Sequence, residues 1–339
     1  METKFLKPTT ETINLACKLI KNGDIVAIPT ETVYGLAGDA SNDAAILKIF
    51  KAKGRPSDNP LIVHISNFDM LAKLVTEIKD DSKKLMQAFW PGPLTIIMPK
   101  TNYVCQTACA GLKSVGVRMP NNKIALDIIE NSGLPLAAPS ANISGKPSPT
   151  TAIDTFEDLN EKIPLVVNGD DCDAGVESTV ISMLDDIPII LRPGIISKEE
   201  IENVLNKKIL LAKEITEEAK NDDKVLSPGM KYKHYSPNAE VYIVKGSLEQ
   251  FANFLKKQNQ KNIFAMCFDD EENLISIPSI SYGEKNNATT QAHNLFKVLR
   301  KLDKMGAEKI YVRCPSVDGV SLAVYNRLIR SAGFKFINL

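Results

Sequence analysis

Three cations crowd one turn of the sequence. Lys51, Lys53 and Arg55 fall together in KAKGRPSDNPLIVH (51–64), which ends in an apolar run carrying His64. The spacing puts them at the end of a helix and at the start of a loop stiffened by Pro56 and Pro60. Two readings stay open. Cations in a last helical turn complement the negative end of the helix dipole and face solvent. Alternatively, Arg55, held between Gly54 and Pro56, offers a bidentate guanidinium fork to phosphate oxygens. A phosphate site here has to rest on side chains and ordinary turns. In SANISGKP (140–147), Ser140 stands where a Walker loop needs its first glycine and Pro147 where it needs Ser or Thr. No G-x-G-x-x-G follows a predicted strand either.

Other polar clusters follow apolar runs. AIPTETVYGLAGDA (27–40) sets Thr30, Glu31, Thr32 and Tyr34 directly after a strand, where ligands bind in open α/β sheets. An ordinary capped turn has the same composition. APSANISGKPSPT (138–150) offers Ser140, Asn142 and Ser148 as partners for phosphate or ribose oxygens, and a plain loop reads the same way. SVGVRMP (114–120) puts Arg118 inside an apolar strand, as an edge residue or as the holder of a carboxylate. GVESTVISM (175–183) and ILRPG (190–194) place Ser178, Thr179 and Arg192 in the same style of strand-end site. His64 reads as a satisfied core histidine or as a site residue. No Ser–His–Asp or Cys–His arrangement stands out, so covalent catalysis is not the first reading.

Positioning these residues needs strands and helices in alternation. Short β-rich runs are read at 25–28, 61–65, 94–98, 115–119, 134–138, 164–167 and 178–183. Helical patterns occupy about 10–22, 42–53, 67–75, 79–89, 122–131 and 198–206. Gly23 and Gly54 sit at C-terminal caps, and Ser197 with Glu200 forms a capping box. From Leu210 the chain turns charged and weakly apolar, as a solvated connection does. SPGMKYKHYSP (227–237) is different: bounded by prolines and carrying two tyrosines, a histidine and two lysines, it is built to lie on something. Strands are then read at 241–244, 263–268 and 310–314, and helices at 247–258, 289–304 and 320–331, as in a small parallel α/β layer structure.

Composition bounds the function. At 339 residues the chain has room for two domains. With 41 Lys and Arg against 41 Asp and Glu, the zero net charge argues against a protein whose main task is coating nucleic acid. The first twenty residues are interrupted by acidic side chains, unlike a signal peptide, and no apolar run reaches the roughly 20 residues that span a bilayer. The expected location is the cytoplasm, with no membrane partner. The six cysteines and three histidines are too scattered for a structural zinc site.

Taken together, PTETVYGL, KAKGRPSDNPLIVH, WPGPLT, SVGVRMP, APSANISGKPSPT, GVESTV, LRPG and SPGMKYKHYSP are similar, in content and order, to the threonylcarbamoyl-AMP synthase family in its two-domain form. The resemblance implies an α/β fold: a YrdC-like twisted open sheet with helices and a concave pocket over 1–208, a linker forming an active-site lid over 209–238, and a smaller Rossmann-like α/β domain over 239–339. It implies condensation of L-threonine, bicarbonate and ATP, with Mg²⁺ accompanying the ATP. The product would pass to downstream transferase proteins that modify adenosine in tRNA. By position, Thr32, His64, Arg118, Ser178 and the Ala138 backbone would meet threonine. Lys53, Arg55, Asn59, Ser114, Ser140, Ser148 and Arg192 would meet ATP, with Asn142 supporting that loop. Lys53, Arg55 and His64 would serve catalysis, His64 as a proton acceptor. His234 and Tyr235 would close the lid. Two rivals differ in kind: an RNA-binding module without turnover, and a carbamoyl transferase like those of hydrogenase maturation, whose C-x-x-C pairs are missing here. A weak affinity for RNA is the one nucleic-acid interaction left open.

Overall fold

A computed structural model describes residues 2–217 and 234–339. It divides into two compact units, Met1–Ser144 with Ser148–Lys231, and Gly145–Pro147 with Tyr232–Leu339. Of the expected lid over 209–238, residues 218–233 lie outside the described residues.

The first unit alternates strands and helices. It runs β1 (Lys4–Leu6), α1 (Thr10–Lys21), β2 (Val26–Ile28), β3 (Gly35–Asp39), α2 (Asp43–Lys53), β4 (Ile62–His64), α3 (Phe68–Leu74) and α4 (Asp80–Phe89). It continues through β5 (Leu94–Pro99), β6 (Ser114–Arg118), α5 (Lys123–Ser132), β7 (Leu136–Ala137), α6 (Ala152–Leu159), β8 (Leu165–Val167), β9 (Thr179–Ser182), β10 (Ile189–Arg192), α7 (Lys198–Leu205) and β11 (Leu210–Leu211). Among the described residues these strands join one eleven-stranded sheet in the order β1-β8-β2-β3-β7-β4-β6-β5-β9-β10-β11. Pairing is mixed: β4 runs parallel to β6, β5 antiparallel to β6 and parallel to β9.

Local chemistry sets the helix ends. Asn42 caps the start of α2 by accepting from the N–H groups of Ala44 and Ala45. Gly54 ends α2 in the left-handed region, with φ of 61°. The Ser197–Glu200 capping box is formed at the start of α7.

Besides strands β1 and β10, which the sequence reading omits, three features of this unit depart from it. GLAGD (35–39) pairs as β3 rather than extending a turn. Two glycines hide the β signal, and Gly35 is where the close approach occurs: a Cβ there would meet the Ala138 Cβ at 3.3 Å. Helix α6, capped by Thr151, follows a proline-rich loop that masks its start. The connection from Leu210 is not merely solvated. Leu210 and Leu211 add a parallel edge strand to β10, and Ile215 is buried.

The second unit contains β12 (Glu240–Lys245), α8 (Leu248–Lys256), β13 (Ile263–Cys267), β14 (Ser279–Ser281), α9 (Ala288–Lys304), β15 (Lys309–Arg313), α10 (Ser321–Ala332) and β16 (Phe336–Asn338). Its described strands pair in parallel, in the order β14-β13-β15-β12-β16. Phe251 and Leu255 of α8 pack on Val244, Ala265, Cys267 and Tyr311, forming the core of one sheet face. Burial of each large apolar side chain of this kind contributes ~1.5–3 kcal/mol. Among the described residues no helix is long and apolar enough to cross a membrane.

Candidate functional site

Strand register gathers the first group of polar side chains. His64 pairs with Arg118 across β4 and β6, and Ile62 with Gly116. Ile96 opposes Val117 across β5 and β6, which aligns Thr95 with Arg118. Side chains two residues apart share a face. His64, Thr95 and Arg118 therefore stand on the same face as Ile62, Ile97 and Gly116. Gly116 keeps that face open, since a Cβ there would press on Thr95 at 3.1 Å.

Arg118 is buried at the centre of this face. Its Nε donates to Gly92 O at 3.2 Å and its Nη1 to Thr32 Oγ1 at 2.8 Å. Thr32 Oγ1 also lies 2.9 Å from Thr30 Oγ1, which donates to Val33 O at 2.6 Å. The turn after β2 thus presents Thr32 in one orientation. Glu31 Oε2 comes within 2.6 Å of Arg118 Nη2. That contact lies off the N–H direction, because neither Glu31 oxygen nor Arg118 Nη2 makes an aligned hydrogen bond. The pair is an ion pair held by proximity, with bonding capacity left on both members.

His64 is buried beside Arg118. Burial first, and the Arg118 charge second, push its imidazole down to about 3. It is neutral throughout the physiological range. So depressed an imidazole is a weak base, which weighs against His64 as the proton acceptor.

A second group centres on Ser178, just before β9. Its Oγ lies 2.8 Å from Thr95 Oγ1. Arg192 donates from Nη2 to Ser178 Oγ at 3.1 Å and from Nε to Ser178 O at 3.1 Å. The antiparallel β9–β10 pairing, shifted between Ile190 and Arg192, brings the guanidinium there.

The third group is the loop after β7. Ala138 N–H donates to Ile62 O at 3.0 Å. The backbone of Tyr34 braces the loop: Tyr34 N–H donates to Pro149 O at 3.0 Å and Ala141 N–H to Tyr34 O at 2.8 Å. The phenol of Tyr34 donates to Gly169 O at 2.9 Å, and burial pushes its ionisation up. Ser148 Oγ donates to the buried Glu177 at 2.5 Å. Lys53, expected on phosphate, is 2% exposed and donates to Ser140 O at 2.5 Å and Asn142 O at 2.7 Å. It fastens the SAN loop to the end of α2. Arg55 Nη2 donates to Asn59 O at 3.3 Å and Pro60 O at 3.4 Å, which folds the loop around it. Asn59 is buried, and its Oδ1 accepts no hydrogen bond.

The structure thus joins Thr32 to Arg118 and sets His64 beside Arg118, and it joins Ser178 to Arg192, Lys53 to Ser140 and Asn142, and Arg55 to Asn59. Ser114 stands at the other end of β6 from Arg118, paired with Pro99. His234 and Tyr235 belong to the second unit, where the Tyr235 ring lies 5.3 Å from Phe296. Sequence reasoning left out Thr95, Glu177 and the pairing of Glu31. Glu31 and Glu177 lie within the polar stretches and Thr95 within an apolar strand, but partners 87, 29 and 83 residues away cannot be read from spacing alone.

A family model described as Telomere recombination matches residues 18–194, and one described as Threonylcarbamoyl-AMP synthase, C-terminal domain, matches 196–333. The chain is 42% identical over 326 residues to the threonylcarbamoyl-AMP synthase of Bacillus subtilis, covering 95% of this chain and 93% of that one. It is 41% identical over 333 residues to the threonylcarbamoyl-AMP synthase of Pyrococcus abyssi, covering 96% of each. Among solved structures it is similar to Pyrococcus abyssi Sua5 complexed with L-threonine, with a TM-score of 0.91, 39% identity and full coverage of both chains.

Proposed function

This chain belongs to the threonylcarbamoyl-AMP synthase family, and we infer that it condenses L-threonine, bicarbonate and ATP to threonylcarbamoyl-AMP and pyrophosphate. The observation that carries the reading is Arg118: a buried guanidinium, oriented by Gly92 and Thr32, with Nη2 still able to donate. A carboxylate is the ligand that such a group selects. Thr32 and the neutral His64 beside it would meet the substrate hydroxyl and reject valine, which leaves a buried polar partner unpaired.

Once carboxylated, the amine becomes a carbamate, whose oxygen attacks the α-phosphorus as pyrophosphate leaves. An anion approaching a polyanion is repelled in water. Arg55 and Arg192 would offset that repulsion, and positioning supplies much of the remaining acceleration. Lys53 contributes by holding the loop that carries Ser140, Asn142 and Ser148 in place for the nucleotide, together with Asn59 and Ser114. Magnesium arrives in this reading with ATP. Among the described residues no group of three His, Cys, Asp or Glu side chains forms a metal cage, and Mg²⁺ bound through substrate phosphates needs none.

The product is a mixed anhydride, an activated acyl donor for tRNA-modifying transferases. The test is pyrophosphate release from ATP with bicarbonate and each of threonine, serine and valine. Threonine-dependent release is expected. Release that ignores the amino acid contradicts the reading.

A further inference from the structure

We propose that Glu31 is the receptor for the α-ammonium of the amino-acid substrate, paired with Arg118 as the receptor for its carboxylate. The inference rests on the functional reading above and deepens it. Three observations carry it. Glu31 and Arg118 are the oppositely charged members of one buried pair, with side chains 11% and 5% exposed. Neither Glu31 oxygen accepts a hydrogen bond, and Arg118 Nη2 donates none, although the other donor nitrogens of Arg118 are aligned on Gly92 O and Thr32 Oγ1. Two groups beside the pair add no charge of their own: burial keeps the Cys172 thiol protonated, and His64 is neutral.

Charge balance then decides the ligand. A lone carboxylate placed on Arg118 would leave two anions sharing one cation in a low-dielectric site, which is strongly disfavoured. A zwitterion brings one charge of each sign. Its carboxylate takes the unused Nη2 donors, its ammonium supplies the donors that the Glu31 oxygens lack, and the site stays neutral. The pair thus selects an amino acid over a hydroxy acid of the same shape before any chemistry begins.

The experiment compares binding of L-threonine and of 3-hydroxybutanoate, which lacks the amine, by calorimetry without ATP. The wild type is expected to prefer threonine by about 10- to 100-fold, the range of a hydrogen-bonded charge. Glu31→Gln should collapse that preference, weakening threonine and strengthening 3-hydroxybutanoate, while Glu31→Asp should keep its direction. Equal affinity of the wild type for both acids overturns the proposal without any variant, as does an undiminished preference in Glu31→Gln. A wild type that binds no threonine overturns the functional reading itself, which separates the two failures.

Discussion

Lys53 and Asn142 are 89 residues apart in the chain, and the ammonium of the first lies 2.7 Å from the main-chain oxygen of the second. With Ser140 O at 2.5 Å, this contact makes the cation at the end of α2 a clasp on the loop after β7. The basic cluster thus divides its labour. Lys53 fastens the loop after β7, and Arg55 remains the candidate for direct contact with phosphate.

Lys53→Met is therefore expected to lower stability as well as turnover. Each buried carbonyl left unpaired costs about 1–3 kcal/mol, so the urea midpoint should fall measurably. A direct phosphate ligand in solvent would instead raise the KM for ATP and leave the midpoint unchanged.

Arg192 meets Ser178 at two points, through Nε and Nη2. A lysine has no planar fork and cannot reproduce both. Arg192→Lys should lower kcat/KM by about 10-fold or more, the value of a hydrogen bond to a charged group. Ser178→Ala, assayed alongside, should lose less. Wild-type kinetics in Arg192→Lys would show that the fork is dispensable.

The depressed imidazole of His64 has a consequence for stability. It ionises at about 3 in the folded chain, against 6.5 for an unperturbed histidine. Between those values the unfolded chain binds a proton that the folded chain refuses. Stability should therefore fall as pH drops from 6.5 toward 3, by up to about 1.4 kcal/mol per unit from this group. His64→Gln should flatten that limb relative to the wild type in denaturation curves taken across the range. Parallel curves would contradict the assignment of a neutral, buried His64.

In the second unit, Glu271 and Arg313 form a buried pair joined at 3.1 and 3.2 Å, with Arg313 Nη1 also donating to Gly246 O at 2.7 Å. Removing one member of such a pair leaves an uncompensated charge and costs about 3–5 kcal/mol. Glu271→Ala should show a loss of that size in calorimetry, whereas the double change to Glu271→Leu and Arg313→Met should recover most of it. A neutral Glu271→Ala would mean that solvent reaches the site.

Much of this architecture is legible in the sequence wherever one element carries its own signal. Helix α2 announces itself through Asn42 and Gly54, α7 through Ser197 and Glu200, and the candidate residues through their dense polar stretches. Strand β3 is not legible, because Gly35 and Gly38 carry no β preference and their reasons for being there lie elsewhere in the fold, Ala138 for Gly35, and Ile25 and Ile49 for Gly38. The partners of Lys53 and the burial of His64 are hidden for the same reason: the carbonyls that Lys53 meets, and the Arg118 beside His64, lie far away in the chain. Glu31 shows the limit most clearly. Its neighbours in the chain suggest a turn, and only the strand that brings Arg118 against it gives the carboxylate a purpose.

The central claim is that this chain joins threonine, bicarbonate and ATP. It is tested most directly by incubating the purified chain with ¹⁴C-bicarbonate, threonine and ATP and separating the nucleotides by chromatography. The account predicts a labelled AMP adduct that requires threonine and is largely lost in Arg55→Ala. Label that never enters a nucleotide fraction, with ATP and threonine present and the chain folded, would contradict it.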